Sequence, residues 1–376
     1  MTQIKKSFVD FLPFHIGNLV AKLPIIQGGM GVGISLSGLA SAVAKEGGIG
    51  VISAACIGRT PRYESRKISD EQALAEDIQR ARKLSAGVIG VNIMVALTNF
   101  ESLCRTASQQ GADIIFAGAG LPLALPSFID KDSKTKLVPI VSSGKAATMI
   151  ARWWKEKYHR LPDAFVAEGP MAGGHLGFKS SQIHDPDYTL DKILPDVCAV
   201  AGELSQSGDV HIPVIAAGGI FSGDDINRYL ELGAEAVQMG TRFVATTECD
   251  APDSFKQSYV DSKQEDILIV QSPVGMPGRA LKNSFIKKME QGETSPVSCR
   301  YHCITSCKRS KSAYCIADAL LRSLSGNAQE GLIFVGTNAW RIQKVQSVRE
   351  LIKELKDEYL QARRSNTPVF ESLESI

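Results

Sequence analysis

Short hydrophobic runs alternate with longer amphipathic stretches over residues 1–250. Each run is apolar along its whole length, which is typical of parallel strands that are covered on both faces. The stretches between them, such as Ser37–Glu46 and Asp70–Ala86, predict crossover helices. The predicted strands are Pro24–Gln27, Gly48–Ser53, Val88–Met94, Asp113–Ala117, Leu137–Ser142, Ala164–Ala167, Pro213–Ala217 and Ala236–Met239. Eight strand–helix units predict an α/β fold, a closed (β/α)8 TIM barrel.

The rhythm of strands and helices stops after residue 250, and this sets the predicted domain boundaries. Residues 251–331 are rich in proline and hold a basic stretch and a group of cysteines. We expect this region to be an inserted cap subdomain over the mouth of the barrel. Residues 332–376 contain one more apolar run, Leu332–Val335, and a charged helix, Val348–Arg363. We expect both to return to the barrel formed by residues 1–250.

Composition narrows the classes of partner. The chain has 376 residues, of which 44% are hydrophobic, and its formal net charge is +2. That balance gives no electrostatic basis for binding nucleic acid or an anionic membrane surface. No apolar run approaches the ~20 residues that a membrane-spanning helix needs, and Met1–Val20 lacks the pattern of a secretory signal. We therefore expect a cytoplasmic protein without nucleic-acid or membrane partners.

Glycine and polar residues follow the predicted strands, at the end of a barrel where active sites lie. Gly218 and Gly219 follow the seventh strand, and Gly240 and Thr241 follow the eighth. Backbone N–H groups in glycine loops beside helix N-termini bind phosphate, so these loops indicate a phosphate-bearing ligand, although glycines also serve turns. Near the ends of the first, third and sixth strands lie further candidates: Gln27, Gly28, Gly29, Met30, Asn92, Glu168 and Gly173.

His175 directly follows Ala172-Gly173-Gly174 after the sixth predicted strand. An imidazole can accept or donate a proton near neutral pH, which suits a general base or a substrate-binding group. A buried histidine that satisfies loop backbone is the alternative interpretation. The position at a strand end, behind two glycines, favours the reactive role.

Three segments, Pro24–Gly31, Val166–Gly177 and Val214–Phe243, resemble the nitronate monooxygenase family, formerly called 2-nitropropane dioxygenases. The FMN-dependent enoyl-acyl-carrier-protein reductases share these segments. The resemblance extends over residues 20–285 and implies FMN bound without a covalent bond, with His175 as the active-site histidine. It implies the ring beside Gln27, Gly28, Gly29 and Met30, polar contacts from Asn92 and Glu168, and ribityl and phosphate contacts from Gly173, Gly218, Gly219, Gln238, Met239, Gly240 and Thr241.

The resemblance also implies an activity. A flavin-dependent monooxygenase of this type would oxidise alkyl nitronates or nitroalkanes with dioxygen, using His175 as base or substrate-binding residue. The alternative is an enoyl-acyl-carrier-protein reductase that uses NAD(P)H. A nucleotide-type barrel fits less well, because its nucleophilic cysteine would have to stand where His175 stands. The resemblance leaves a homodimer open.

Four cysteines cluster late in the chain as Cys299-x3-Cys303-x3-Cys307-x7-Cys315. Thiolates bind zinc or iron–sulfur clusters, but this spacing differs from the usual paired knuckles and ferredoxin runs. Buried free cysteines behave as small apolar residues, and this interpretation is favoured over a metal site. A non-catalytic, metal- or redox-sensing barrel built around these cysteines is a further alternative.

Overall fold

The computed structural model describes residues 10–293, 299–307 and 312–365. The ends of the chain and two short parts of the predicted cap therefore lie outside the described residues. The strands are β1 (Phe14–Ile16), β2 (Leu19–Ala21), β3 (Ile25–Gln27), β4 (Gly50–Ser53), β5 (Ile89–Met94), β6 (Ile114–Gly118), β7 (Lys136–Val141), β8 (Phe165–Glu168), β9 (Gly174–His175), β10 (Val214–Ala217), β11 (Ala236–Met239), β12 (Ile267–Gln271) and β13 (Pro277–Leu281). The helices are α1 (Ser37–Lys45), α2 (Asp70–Leu84), α3 (Phe100–Gln109), α4 (Gly144–Tyr158), α5 (Leu190–Gly208), α6 (Gly223–Glu231), α7 (Thr241–Val244), α8 (Asp253–Val260), α9 (Ser284–Glu290), α10 (Ile316–Ser323) and α11 (Val348–Ser365).

Eight parallel strands form the central sheet in the order β3-β11-β10-β8-β7-β6-β5-β4. A parallel bridge between Ile26 and Ile49 joins its two edges. The backbone N–H of Gln27 donates to the carbonyl of Ile49 at 2.9 Å, and the N–H of Ile49 donates to the carbonyl of Ile25 at 2.9 Å. The predicted TIM barrel is confirmed, and each predicted strand coincides with one of these eight within two residues.

Both faces of the barrel strands are buried, which explains why each run is apolar throughout. Successive residues of a strand face opposite sides. Ile26 belongs to an inner cluster with Val51, Phe116 and the β1–β2 hairpin. Ile25, its neighbour, belongs to the outer cluster that the helices cover. Local signals fix the helix starts, as at α2, where the side chains of Ser69 and Gln72 form a capping box.

The cap contains an antiparallel sheet in the order β12-β13-β9. Strand β9 comes from the loop after β8, so the barrel and the cap share this loop: His175 pairs with Gly278, and Gly174 pairs with Arg279. The run Leu332–Val335 lies beside β13, where Phe334 forms a bridge with Ala280. Helix α11 packs on the barrel helix α6. No helix in the described ranges is long and apolar enough to span a bilayer.

Candidate active site

A cavity of about 280 Å³ lies where the carboxyl ends of the barrel strands meet the cap. The structure brings thirteen of the fourteen candidate residues together around it. They are Gly28, Gly29, Met30, Asn92, Glu168, Gly173, His175, Gly218, Gly219, Gln238, Met239, Gly240 and Thr241. Residues far apart in sequence therefore form one site, as expected when parallel strands end at the same rim.

Gln27 is the exception, because its side chain is fully buried between β3 and β4. Its Oε1 accepts a hydrogen bond from the N–H of Val51 at 2.9 Å, and its Nε2 donates to the carbonyl of Gly28 at 2.5 Å. The side chain thus uses its polar atoms to join the two strands at the seam of the barrel. The structure does not bring it to the cavity.

The glycine loops after β10 and β11 form one end of the cavity. Gly218 and Gly219 have φ of 94° and 93°, a left-handed conformation that favours glycine. Gly240 has an ordinary φ of −102°, and a Cβ added there would come no closer than 3.4 Å to the protein, at Sδ of Met30. Within the described ranges, the backbone N–H groups of Gly219 and Gly240 have no acceptor. Protein packing does not require glycine at 240, whereas a ligand at these amides would.

Glu168 is the last residue of β8 and the single carboxylate among the described residues that line the cavity. No lysine or arginine in the described ranges joins it there. Burial raises the pKa of Glu168 to about 7, because a charged carboxylate without a cationic partner is poorly solvated. At neutral pH this group is therefore divided between the acid and the carboxylate, and it can either donate or accept a hydrogen bond.

His175 lies on β9, half-buried, with its ring against the cavity. Its Nε2 lies 2.7 Å from Oγ of Ser272, and its ring meets Phe334 edge-on with 5.0 Å between ring centroids. Burial lowers the pKa of His175 to about 4, so the imidazole is neutral at neutral pH. Because Nε2 is engaged by Ser272, Nδ1 is the ring nitrogen left for a ligand.

Arg279 holds the loop that leads to His175. This buried guanidinium donates to the carbonyl of Pro170 at 2.7 Å and also to the carbonyl of Ala172. Burial lowers the pKa of Arg279 to about 10, which leaves the side chain charged at neutral pH. Charge-assisted hydrogen bonds to two carbonyls of one turn fix its backbone, and with it the start of β9.

Sequence reasoning did not identify Ser272, Arg279 or Phe334 as part of this site. All three come from the region after residue 250, where no regular period marks the inward-facing positions. Phe334 lies in the predicted apolar run Leu332–Val335, but nothing in that run marks it as a site residue. The sequence signal for Ser272 and Arg279 is weak, because β12 and β13 are short runs beside Pro273 and Pro277.

The other end of the cavity is apolar. It is lined by Leu97 from the loop after β5, Ile304 from the cap, and Ile316 and Leu320 from α10. Apolar side chains without polar partners accept hydrocarbon more readily than charge. This end therefore suits an acyl or alkyl group.

Cys303 and Cys315 pack against the same small cluster, which contains Cys56. Cys299, Cys303, Cys307 and Cys315 are half-buried free thiols. No three His, Cys, Asp or Glu side chains in the ranges described above are placed to hold a metal ion. Of the four, only Cys303 lines the cavity, where it lies near Cys56 from the loop after β4.

Comparison with known proteins identifies the family to which the chain belongs. The sequence profile of the family described as nitronate monooxygenase matches residues 13–103 and 96–358. A probable nitronate monooxygenase from Staphylococcus saprophyticus is 27% identical over 301 residues, which are 73% of this chain and 80% of that protein. The (3aS,4S,5R,7aS)-5-hydroxy-7a-methyl-1-oxo-octahydro-1H-indene-4-carboxyl-CoA dehydrogenase from Mycobacterium tuberculosis is 28% identical over 270 residues, which are 72% of this chain and 66% of that protein, slightly less than two thirds.

Solved structures agree with the sequence matches. FabK from Thermotoga maritima superposes with a TM-score of 0.70 at 27% identity, over 92% of this chain and 95% of that one. A nitroalkane oxidase from Streptomyces ansochromogenes superposes with a TM-score of 0.71 at 21% identity, over 92% and 98%, and at that identity it shows the fold alone. The family profile covers far more than half of the residues. The chain therefore belongs to the nitronate monooxygenase family, and it is a flavin-dependent enzyme.

Proposed function

We propose that this enzyme binds FMN at the glycine end of the cavity and oxidises alkyl nitronates with dioxygen. The observation that carries this proposal is the meeting, in one cavity, of backbone amides at Gly219 and Gly240, which have no acceptor among the described residues, with the neutral imidazole of His175. The amides suit a phosphate, and the imidazole suits a small polar substrate. Bound FMN would supply the redox chemistry, taking electrons from the substrate and passing them to dioxygen.

The chain fits the phosphate of FMN through backbone, not through cations. The amides of Gly219 and Gly240 would donate to the phosphate oxygens, and Thr241 adds a hydroxyl. The amides at the start of α6 already donate to the carboxylates of Asp225 and Glu358. Gly240 keeps the space beside Met30 open for the phosphate. Asn92 and Glu168 line the cavity nearer the barrel axis and offer donors and acceptors to the flavin ring.

The protonation state of His175 favours a nitronate over a nitroalkane. A group whose pKa is about 4 is a weak base, so it removes a carbon-bound proton poorly at neutral pH. A nitronate has already lost that proton. The neutral ring can instead donate a hydrogen bond from Nδ1 to a nitronate oxygen.

The hydrogen bonds of Ser272 support this tautomer. The backbone N–H of Val274 donates to Oγ of Ser272 at 3.5 Å, which occupies a lone pair of that oxygen. Among the described residues, the hydroxyl proton of Ser272 has no acceptor other than Nε2 of His175, which favours donation from the serine to that nitrogen. A neutral imidazole that accepts at Nε2 carries its proton on Nδ1, where it faces the substrate.

A second candidate is redox chemistry on an acyl thioester with NAD(P)H. The apolar end formed by Leu97, Ile304, Ile316 and Leu320 favours it, because a nitronate with a short alkyl chain does not need that surface. The mycobacterial relative named above is a carboxyl-CoA dehydrogenase.

Anaerobic mixing separates the two candidates. Purified enzyme with its bound flavin is mixed with propionate 3-nitronate, an alkyl nitronate, an enoyl thioester or NAD(P)H, and the visible spectrum of the flavin is followed. Fast loss of flavin colour with the nitronates and slow loss with NAD(P)H is the expected result. Fast reduction by NAD(P)H, followed by reoxidation with the enoyl thioester and no response to nitronates, would replace the proposal with the second candidate.

A further inference from the structure

Two cysteines from different parts of the fold meet at the cap side of the cavity. Cys56 follows β4 and has a φ of 50°, a left-handed conformation that is uncommon for a residue other than glycine. Its side chain is buried in a small cluster with Val32 and Ala317, against which Cys303 packs. Cys315 packs against the same cluster, but of these three cysteines Cys56 and Cys303 are the two that line the cavity.

Cys303 lies close to Cys56 because backbone hydrogen bonds hold the segment around Cys303 against the loop after β5. The backbone N–H of Thr98 donates to the carbonyl of Cys303 at 3.1 Å, and the N–H of Thr305 donates to the carbonyl of Ala96 at 3.0 Å. An antiparallel bridge joins Leu97 to Ile304 between these two bonds. The thiol pair therefore lies at the contact between the barrel loops and the cap, and the bonds that cross this contact here are noncovalent.

We propose that Cys56 and Cys303 are a redox-active pair that closes to a disulfide and locks the cap onto the barrel beside the active-site cavity. The oxidant is a peroxide, and the reaction is independent of the substrate proposed above. Cys303 sulfur attacks one peroxide oxygen, the O–O bond breaks, and the departing oxygen leaves as water, giving a sulfenic acid. Cys56 sulfur then attacks the sulfur of Cys303, the S–S bond forms, the S–O bond breaks and a second water leaves. Two thiols lose two electrons, and hydrogen peroxide is reduced to two waters.

The surroundings assign different roles to the two sulfurs. The interaction with the neighbouring thiol of Cys56 lowers the pKa of Cys303, which favours the nucleophilic thiolate. The same interaction together with burial raises the pKa of Cys56, which suits the residue that resolves the sulfenic acid. By contrast, burial raises the pKa of Cys249 to about 12, and that buried thiol, which does not line the cavity, is expected to be inert.

The test uses the flavin-loaded enzyme, reduced, desalted without oxygen and exposed to an equimolar amount of hydrogen peroxide. Free thiols are then alkylated, and the digest is analysed by mass spectrometry without reduction. The main product is expected to be one cross-linked peptide pair containing Cys56 and Cys303. In Cys56→Ser, the reaction should stop at a Cys303 sulfenic acid that dimedone traps, whereas Cys303→Ser should leave Cys56 unoxidised. Cys198→Ser, a half-buried cysteine outside the cavity, is the matched control and should cross-link like the unmodified enzyme.

Hydrogen exchange measures whether the disulfide holds the cap more firmly on the barrel. Exchange at the amides of Thr98 and Thr305, which donate across this contact, is expected to slow about tenfold or more on oxidation of the unmodified enzyme and to stay unchanged in Cys56→Ser. Three results would overturn the proposal. They are a disulfide between Cys303 and another late cysteine, oxidation of Cys198 before this pair, or about one equivalent of zinc or iron bound by these thiols in the purified protein.

Discussion

The two ends of the active-site cavity are built in different ways. The barrel end consists of loops that directly follow regular strands, and it offers mainly backbone amides and space at Gly219 and Gly240. The cap end consists of side chains from a region without the strand–helix rhythm, such as Ile304 and Leu320. Ser272 and Phe334 contact His175 from the same part of the chain, after residue 250. Under the proposed function, the barrel end would bind the cofactor and the cap end would select the substrate.

The largest expected effect comes from filling the barrel end. Gly240→Val keeps an allowed backbone conformation and meets only the flexible side chain of Met30, but its bulk occupies the space beside the phosphate. We expect FMN to bind about 1000-fold more weakly, a loss of about 4 kcal/mol. Fluorescence titration of the apoprotein with FMN measures this change.

A matched control separates the loss of cofactor from a loss of folding. Gly202→Val lies within α5, and no atom lies within 4 Å of an added Cβ there. That variant should retain its flavin. Normal flavin content in Gly240→Val would show that the phosphate binds elsewhere.

Truncation of His175 should leave the cofactor bound and reduce turnover. His175→Ala removes the imidazole that lines the cavity and that we propose binds the substrate, so kcat/KM for nitronates is expected to fall about 100- to 1000-fold while the bound flavin remains. Steady-state oxygen consumption measures the first and absorbance the second. His211→Ala, an exposed histidine paired with Glu235, is the control. Turnover unchanged in His175→Ala would remove this residue from the mechanism.

The same comparison explains what could be predicted from the sequence. Strands that are covered on both faces appear in the sequence as continuous apolar runs. The eight barrel strands and the glycine loops that follow them can therefore be predicted from the sequence. Gln27 lies in the right segment, but a linear pattern cannot tell that its amide turns into the seam toward Val51. Ser272 and Arg279 act through contacts with His175 and Pro170, about a hundred residues away in sequence, and no local period encodes such contacts.

The pH dependence of stability tests whether Glu168 is buried without a cationic partner. Its pKa rises from 4.5 to about 7 in the folded protein, so it contributes stability that is fully present below pH 4.5 and lost as the pH rises through 7. Stability of the Glu168→Gln variant does not fall in this way, because glutamine does not titrate. We expect the variant to gain about 1 to 3 kcal/mol of unfolding free energy relative to the parent between pH 5 and pH 8.

Denaturant unfolding at the two pH values measures this difference. His175 titrates with the opposite sign, because its lowered pKa makes stability fall as the pH drops from 6.5 to about 4, but it does so equally in both proteins. Parallel stability profiles for the parent and Glu168→Gln would mean that the carboxylate is solvated or paired with a cation.

The smallest expected effect concerns the cap partner of His175. Ser272→Ala removes one hydrogen bond to Nε2 and releases the tautomer, so kcat/KM is expected to fall about 3- to 10-fold with the flavin retained. Ser272→Thr keeps the hydroxyl and should recover most of the activity. Ser258→Ala, a half-buried serine on α8 that does not line the cavity, is the control. Equal activity of the alanine and threonine variants would show that Ser272 only fills space.

The central claim is that the barrel end holds FMN through backbone amides, with His175 facing it. A crystal structure of the flavin-loaded enzyme tests this claim most directly. The account predicts phosphate oxygens about 2.7–3.2 Å from the backbone nitrogens of Gly219 and Gly240, and the flavin ring on the same side of the cavity as the imidazole of His175. A phosphate bound away from both amides, or an imidazole turned into the cap, would contradict it.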